Sequence, residues 1–177
     1  MSRAAVSSPS VQPCELPEGA LLAKYQLGGD FADCYVSEIA RHVSHAEYVE
    51  AFYTTALFKV ERRLLSWFVA RPSTDEEARR LAAGDRDSFA AWGVEARSAN
   101  QLLMTDLRGH TRSWLMVAGA RSAANDSTRL YFGSAVVGTR GGSGTSGLAF
   151  RSLLGFHRLY SRALLSAAKS RLTQQSR

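Results

Sequence analysis

A chain of 177 residues with 45% hydrophobic and 21% charged residues is long enough for one folded domain with a sizeable core. Its formal charge is +6, and the positive residues are mostly arginine scattered along the chain, without a basic run or interleaved aromatics. That pattern reads as a solvated Arg-rich surface and excludes a nucleic-acid strand binder of the stacking type. No run of about 20 apolar residues exists, so no transmembrane segment is expected. Cys14 and Cys34 have neither CxxC nor zinc spacing, and with Cys14 in an expected tail a structural disulfide is not expected; a reducing, cytoplasmic compartment fits best.

In chain order, residues 1–24 carry Ser7, Ser8, Ser10 and every proline except Pro72, and read as a flexible leader; residues 25–177 read as a single α+β domain. Phe31–Ile39 (FADCYVSEI) mixes aromatic and β-branched residues and predicts a first strand. Ser44 and Glu47 have the spacing of a capping box, and Val49, Tyr53, Ala56, Val60, Leu64 and Trp67 follow at helical steps. Thr54-Thr55 is a weak point that can divide this helix, and Arg71-Pro72 ends it. A short surface helix is expected over 73–84, acidic at its start and stopped by Gly84.

From Ser88 to Val137 the period changes to two. Four strands are expected, turning at Ser98–Asn100, at Arg108–His110 and in the polar loop 121–128, with the first strand joining their edge. A glycine-rich loop, 138–147, delivers the chain to a long helix over Leu148–Leu172. Arg151, Arg158, Arg162 and Lys169 share one stripe of that helix, and Phe150, Leu153, Leu154, Leu164 and Ala168 share the opposite side. The expected architecture is an antiparallel sheet of about five strands packed on the long C-terminal helix, with two or three helices after the first strand.

Three features bear on chemistry. Gly142–Gly147 matches G-x-G-x-x-G between a strand and a helix, but no acidic residue follows it anywhere in the chain. A hinge or plain connection is the better reading, and no cofactor is expected. His157 falls within the apolar arc of the long helix, either as a hydrogen-bonded core histidine or as a polar group projecting into a cavity between helix and sheet. Trp92, Trp114, Tyr131 and Phe132 can line such a cavity or fill a dry core. The candidate ligand-binding residues are therefore His157, Phe150, Leu153, Trp114 and Phe132. His42, His45 and His110 do not make a zinc set, Asp106, Arg108, His110 and Arg112 read as a solvated turn with charge pairing, and no nucleophile has a partner base.

The segments FADCYVSEI, EAFYTTALFKVERRLL, RSWLMVA, RLYFGSAVV and LLGFHRLYSRALL together resemble an uncharacterised bacterial domain family, often fused behind NAD-dependent epimerase-like domains. The last segment is the most specific, and the resemblance spans roughly residues 30–172. That family looks related to the helix-grip superfamily of START lipid-transfer domains, polyketide cyclases and the birch-pollen-allergen group. The resemblance implies an apolar cavity between sheet and C-terminal helix, and hence non-catalytic binding of a small hydrophobic or lipid-like molecule. It carries over no catalytic residue. Two other readings stand beside it: a cyclase- or hydrolase-type enzyme using His157 with Glu95 or Asp106, and a ligand-free interaction module, such as a homodimer.

Overall fold

The computed structural model describes residues 10–59, 73–119, 126–138 and 147–175, with residues 147–157 described by backbone only. The chain forms an α+β fold. Its elements are β1 (Gln12–Pro13), α1 (Ala23–Leu27), β2 (Phe31–Ile39), α2 (His45–Tyr53), α3 (Asp75–Ala83), β3 (Ser88–Phe89), β4 (Trp92–Ser98), β5 (Gln101–Asp106), β6 (Thr111–Gly119), β7 (Thr128–Val136) and α4 (Gly147–Gln174). One antiparallel sheet has the order β1-β2-β7-β6-β5-β4-β3. The expected five strands are present, and two two-residue edge strands raise the count to seven. Those short edges were illegible because two residues carry no periodicity.

Local chemistry explains most element ends. Ser44 and Glu47 cap α2 reciprocally, and α2 closes at Thr54, where the paired threonines were expected to interrupt it. The Thr55 hydroxyl then accepts from the Phe58 N–H at 3.2 Å, starting the next helical run at residue 56. Thr74 and Glu77 cap α3 in the same way, and Gly84 stops it in the left-handed region at φ +91°. This helix is less exposed than expected, because Ala78 and Leu81 are fully buried. The β5–β6 turn is held by the Asp106 carboxylate, which accepts from the His110 and Thr111 N–H groups at 2.7 and 3.2 Å. Asp106 therefore stabilises backbone here, in place of the expected cross-strand charge pairing, and Arg112 pairs with Glu95 instead.

The sheet is covered on both faces. The inner face presents Tyr35, Ile39, Leu102, Met104, Leu115, Val117, Leu130 and Phe132 to α2, α3 and α4. On α4 the buried positions are Ser161, Leu164, Leu165, Ala168 and Leu172, a three-and-four spacing, while Arg158 and Arg162 are exposed. Where the basic stripe is described, Arg158 and Arg162 thus mark the solvent side, with Lys169 half-buried. The C-terminal end of α4 is capped from β2's side by Arg41, whose Nη2 donates to the Leu172 carbonyl at 3.3 Å.

The outer face changes the reading of the N-terminus. From Ser10 onward, the expected leader is part of the fold. β1 pairs with β2, and the following residues cross the sheet to β4. Leu22 is fully buried on the way, against Gly133 and Trp114. Gln101 fastens the crossing: its Oε1 accepts from the Leu21 N–H and the Trp114 indole N–H, both at 2.9 Å, and its Nε2 donates to the Gly19 carbonyl at 3.1 Å. Beyond it, Glu95 is gripped by Lys24 at 2.5 Å, by the Tyr25 hydroxyl and by Arg112. The Arg112 guanidinium also lies 4.8 Å from the centre of the Tyr25 ring. Composition suggested disorder because serine and proline dominate this stretch. A few buried anchors, Val11, Ala20 and Leu22, outweigh that bias.

Gly133 is where the crossing comes closest. A Cβ there would stand 2.8 Å from Leu22 Cδ2, 2.9 Å from the Asp33 carbonyl oxygen and 3.0 Å from Trp114 Cε3. Gly133→Ala is expected to cost about 1–3 kcal/mol in urea unfolding. Combining it with Leu22→Ala should not restore stability, since the Asp33 carbonyl is backbone and cannot move aside. Gln101→Leu, which orphans the indole and Leu21 N–H groups, should cost about 2–4 kcal/mol in the same assay.

Stability should also fall in acid. Burial, then the charge of Arg97, lower His45 from 6.5 to about 4, despite a hydrogen bond to the Leu115 backbone. Burial pushes Glu95 up, but hydrogen bonds from Lys24 and Tyr25 and the charges of Arg112 and Lys24 outweigh it, so its pKa lies below the usual 4.5. For both groups the unfolded chain takes up the proton first as pH falls, so each contribution is complete above the unfolded value and lost through the folded one. The urea midpoint should therefore decline from pH 6.5 to about 4 through His45 and decline further below 4.5 through Glu95. A His45→Gln variant should flatten the first part only.

Candidate functional site

The alternation of side chains along the strands divides the expected pocket residues. Trp92 and Phe132 face α2 and α4, whereas Trp114 and Tyr131 lie in the core of the outer face. Trp114 is a correction to the expected ligand-binding set. It is fully buried under the N-terminal crossing, with its indole bonded to Gln101, on the far side of the sheet from α4. Its face was not legible from residue pattern, because Trp114 to Val117 is an unbroken apolar run, as expected of a strand buried on both sides. Phe132 lies on the inner face. The side chains of Phe150, Leu153 and His157 lie outside the described residues, as does the loop 139–146; the backbone of His157 stands one helical turn before Ser161.

Between the inner face and the helices lies a cavity of about 200 Å³. Its walls are Phe52, Tyr53 and Phe58 from α2 and the run after it, Trp92 from β4, Phe132 from β7, and Tyr160 and Leu164 from α4. The aromatic wall is mutually braced. Phe52 and Phe132 have ring centres 5.0 Å apart, and Tyr53 meets Phe58 edge-on at 4.9 Å. Such packing fixes the shape of the space at little entropic cost.

The cavity also has a polar side. Ser113 and Ser134 are direct cross-strand partners on the inner face and both line it, together with Thr111. Ser134 donates to Asp33 Oδ1 at 2.5 Å, and the Tyr35 hydroxyl donates to Asp33 Oδ2 at 3.3 Å. Burial and the adjoining Asp33 carboxylate push Tyr35 up to about 12, so it remains a hydrogen-bond donor at neutral pH. Opposite this row, Ser161 projects from α4. Its residue is 1% exposed, yet its hydroxyl has no hydrogen-bond partner among the described residues. A buried hydroxyl left unpaired is costly and uncommon. Sequence reasoning passed over Ser161 because a small polar residue in a helix is unremarkable until its burial is known.

The carboxylates proposed to serve His157 are committed elsewhere. Glu95 is held by Lys24, Tyr25 and Arg112 beside α1, and Asp106 by the β5–β6 turn. Among the described residues no group of three or more His, Cys, Asp or Glu side chains is placed to hold a metal ion, and no helix is long and apolar enough to cross a membrane. No protein-family model, curated protein or solved structure matches the chain.

If Ser161 is kept for a ligand and not for the fold, removing it should not harm stability. Ser161→Ala is expected to leave urea stability unchanged or to raise it by up to about 1 kcal/mol, whereas Phe132→Ala, which removes a packed wall, should cost about 3–5 kcal/mol.

Proposed function

We propose that this protein is a non-catalytic binding protein for a small, largely apolar molecule held between the sheet and the C-terminal helix. The observation that carries this reading is the cavity itself, an aromatic-walled space of about 200 Å³ lined by Ser161, whose hydroxyl has no partner among the described residues. Apolar pockets with a few placed polar groups are the usual form of a small-molecule site. A space of this size suits a single ring or a short chain, in the range of engineered cavities that take up benzene. What favours a helix-grip-like reading is the strand order: the first long strand, β2, pairs with the last, β7, and a long terminal helix follows.

In this reading the aromatic wall provides affinity and Ser161, with Ser113 and Ser134, orients one polar group of the ligand. The test compares p-cresol with toluene, which share a ring and differ by a hydroxyl. Both should raise the melting temperature of the purified protein, and calorimetry should show p-cresol binding roughly tenfold more tightly, about 1.4 kcal/mol. Ser161→Ala should erase most of that preference while leaving toluene affinity intact. Binding of neither ring, with no apolar molecule found by organic extraction or native mass spectrometry, would rule the reading out.

A further inference from the structure

Cys14 and Cys34 are separated by nineteen intervening positions in sequence, but β1 and β2 bring them together. The register Gln12↔Val36 and Pro13↔Tyr35 continues to place Cys14 opposite Cys34. The Cys14 N–H donates to the Cys34 carbonyl at 2.9 Å, so the two face each other across a hydrogen-bonded rung. Cα atoms across such a rung lie about 5.5 Å apart, within the roughly 4.4–6.8 Å that a disulfide spans. The two sulfur atoms are 3.2 Å apart, and both cysteines are free thiols. Only small side-chain rotations separate that contact from a bond.

The pair is also asymmetric. Cys34 is buried, whereas Cys14, directly after the edge strand β1, is only partly buried. The hydrogen bond between the sulfurs lowers the pKa of Cys14, while that bond and burial raise that of Cys34. An accessible thiol with a resolving thiol in contact is the arrangement that exchanges with disulfides.

We infer that Cys14 and Cys34 are a thiol–disulfide exchange site whose oxidation staples the N-terminal crossing segment to the sheet, with a low-molecular-weight disulfide such as oxidised glutathione as the oxidant. The Cys14 thiolate attacks one sulfur of the oxidant, forming a mixed disulfide and releasing one glutathione thiolate, which takes up a proton. Cys34 loses its proton to solvent and attacks Cys14 Sγ. The Cys14–Cys34 bond forms, and the second glutathione leaves and is protonated. Two protein thiols are oxidised by two electrons and one oxidised glutathione is reduced to two thiols. The bond closes directly upstream of Ala20, Leu22 and Tyr25, the residues that cover Gly133 and reach Glu95. Oxidation therefore strengthens the attachment of a segment otherwise held by noncovalent contacts alone.

The experiment treats the full chain with oxidised glutathione at neutral pH, alkylates the remaining thiols, and reads the intact mass and a peptide map. The expected product is a monomer with no alkylatable thiol and one linked peptide pair containing Cys14 and Cys34. Its melting temperature should rise by on the order of 5–10 °C, reversed by dithiothreitol. Cys34→Ser should instead stop at a glutathione adduct on Cys14, and Cys14→Ser should react far more slowly. If either variant fails to fold, alkylation rates on the native protein decide, with Cys14 expected to react first. The inference is overturned if wild type keeps a stable glutathione adduct on Cys14, forms only intermolecular disulfides, or leaves both thiols alkylatable.

Discussion

The pairing of β7 between β2 and β6 is the constraint on which the rest of the fold depends. All nine residues of β7 are in register with β2 on one side and β6 on the other, and most are buried on both faces. A central strand of this kind has no solvent side, so each face must be covered by something else in the chain. The helices cover one face. The N-terminal segment covers the other, which explains why residues of unpromising composition adopt a defined path. Gly133 sits in the middle of β7 for the same reason: without a side chain there, Leu22 can reach the Asp33 backbone and the Trp114 ring.

The two faces have been built differently. The outer face is closed by specific polar fastenings, with Gln101 making three hydrogen bonds and Glu95 three close contacts, around a compact cluster of Trp114, Leu103 and Leu22. The inner face holds a larger apolar cluster, and among the described residues a cavity remains beside it. Where the ends of β6 and β7 meet α4, small residues (Ser113, Ser134 and Ser161) stand where larger apolar ones would close the core. Interiors ordinarily pack densely, so space beside an unpaired hydroxyl is an exception that invites a functional reading. Ser113 and Ser134, the latter hydrogen-bonded to Asp33 on the next strand, give the cavity one polar edge against the aromatic wall of Phe52, Tyr53, Phe58 and Trp92.

Much of the secondary structure was legible because local rules agree with it. The Ser44–Glu47 and Thr74–Glu77 boxes, the break at Thr54, the Gly84 stop and the turns before Gln101 and Thr111 are all short-range features. Face assignment was not. Trp114 and Leu115 are neighbours in an apolar run, and alternation says only that they point in opposite directions. Which one meets α4 depends on the register with Phe132, set by nine paired residues of β7. Of the candidate pocket residues with described side chains, Phe132 and Trp92 took the helix side and Trp114 the other, while Ser161, inconspicuous in sequence, lines the space.

The sequence by itself determined where the five long strands and the helices α2, α3 and α4 lie, that strands and helices segregate, and that Arg158 and Arg162 face solvent. Those properties depend on side-chain periodicity and caps within a few residues of each other. Only the tertiary structure decided that Ser10–Leu27 crosses the outer face, that Cys14 meets Cys34, and that a cavity remains beneath α4. Each of these joins residues distant in the chain, and their free energies exist only once a buried two-sided sheet has brought the partners together.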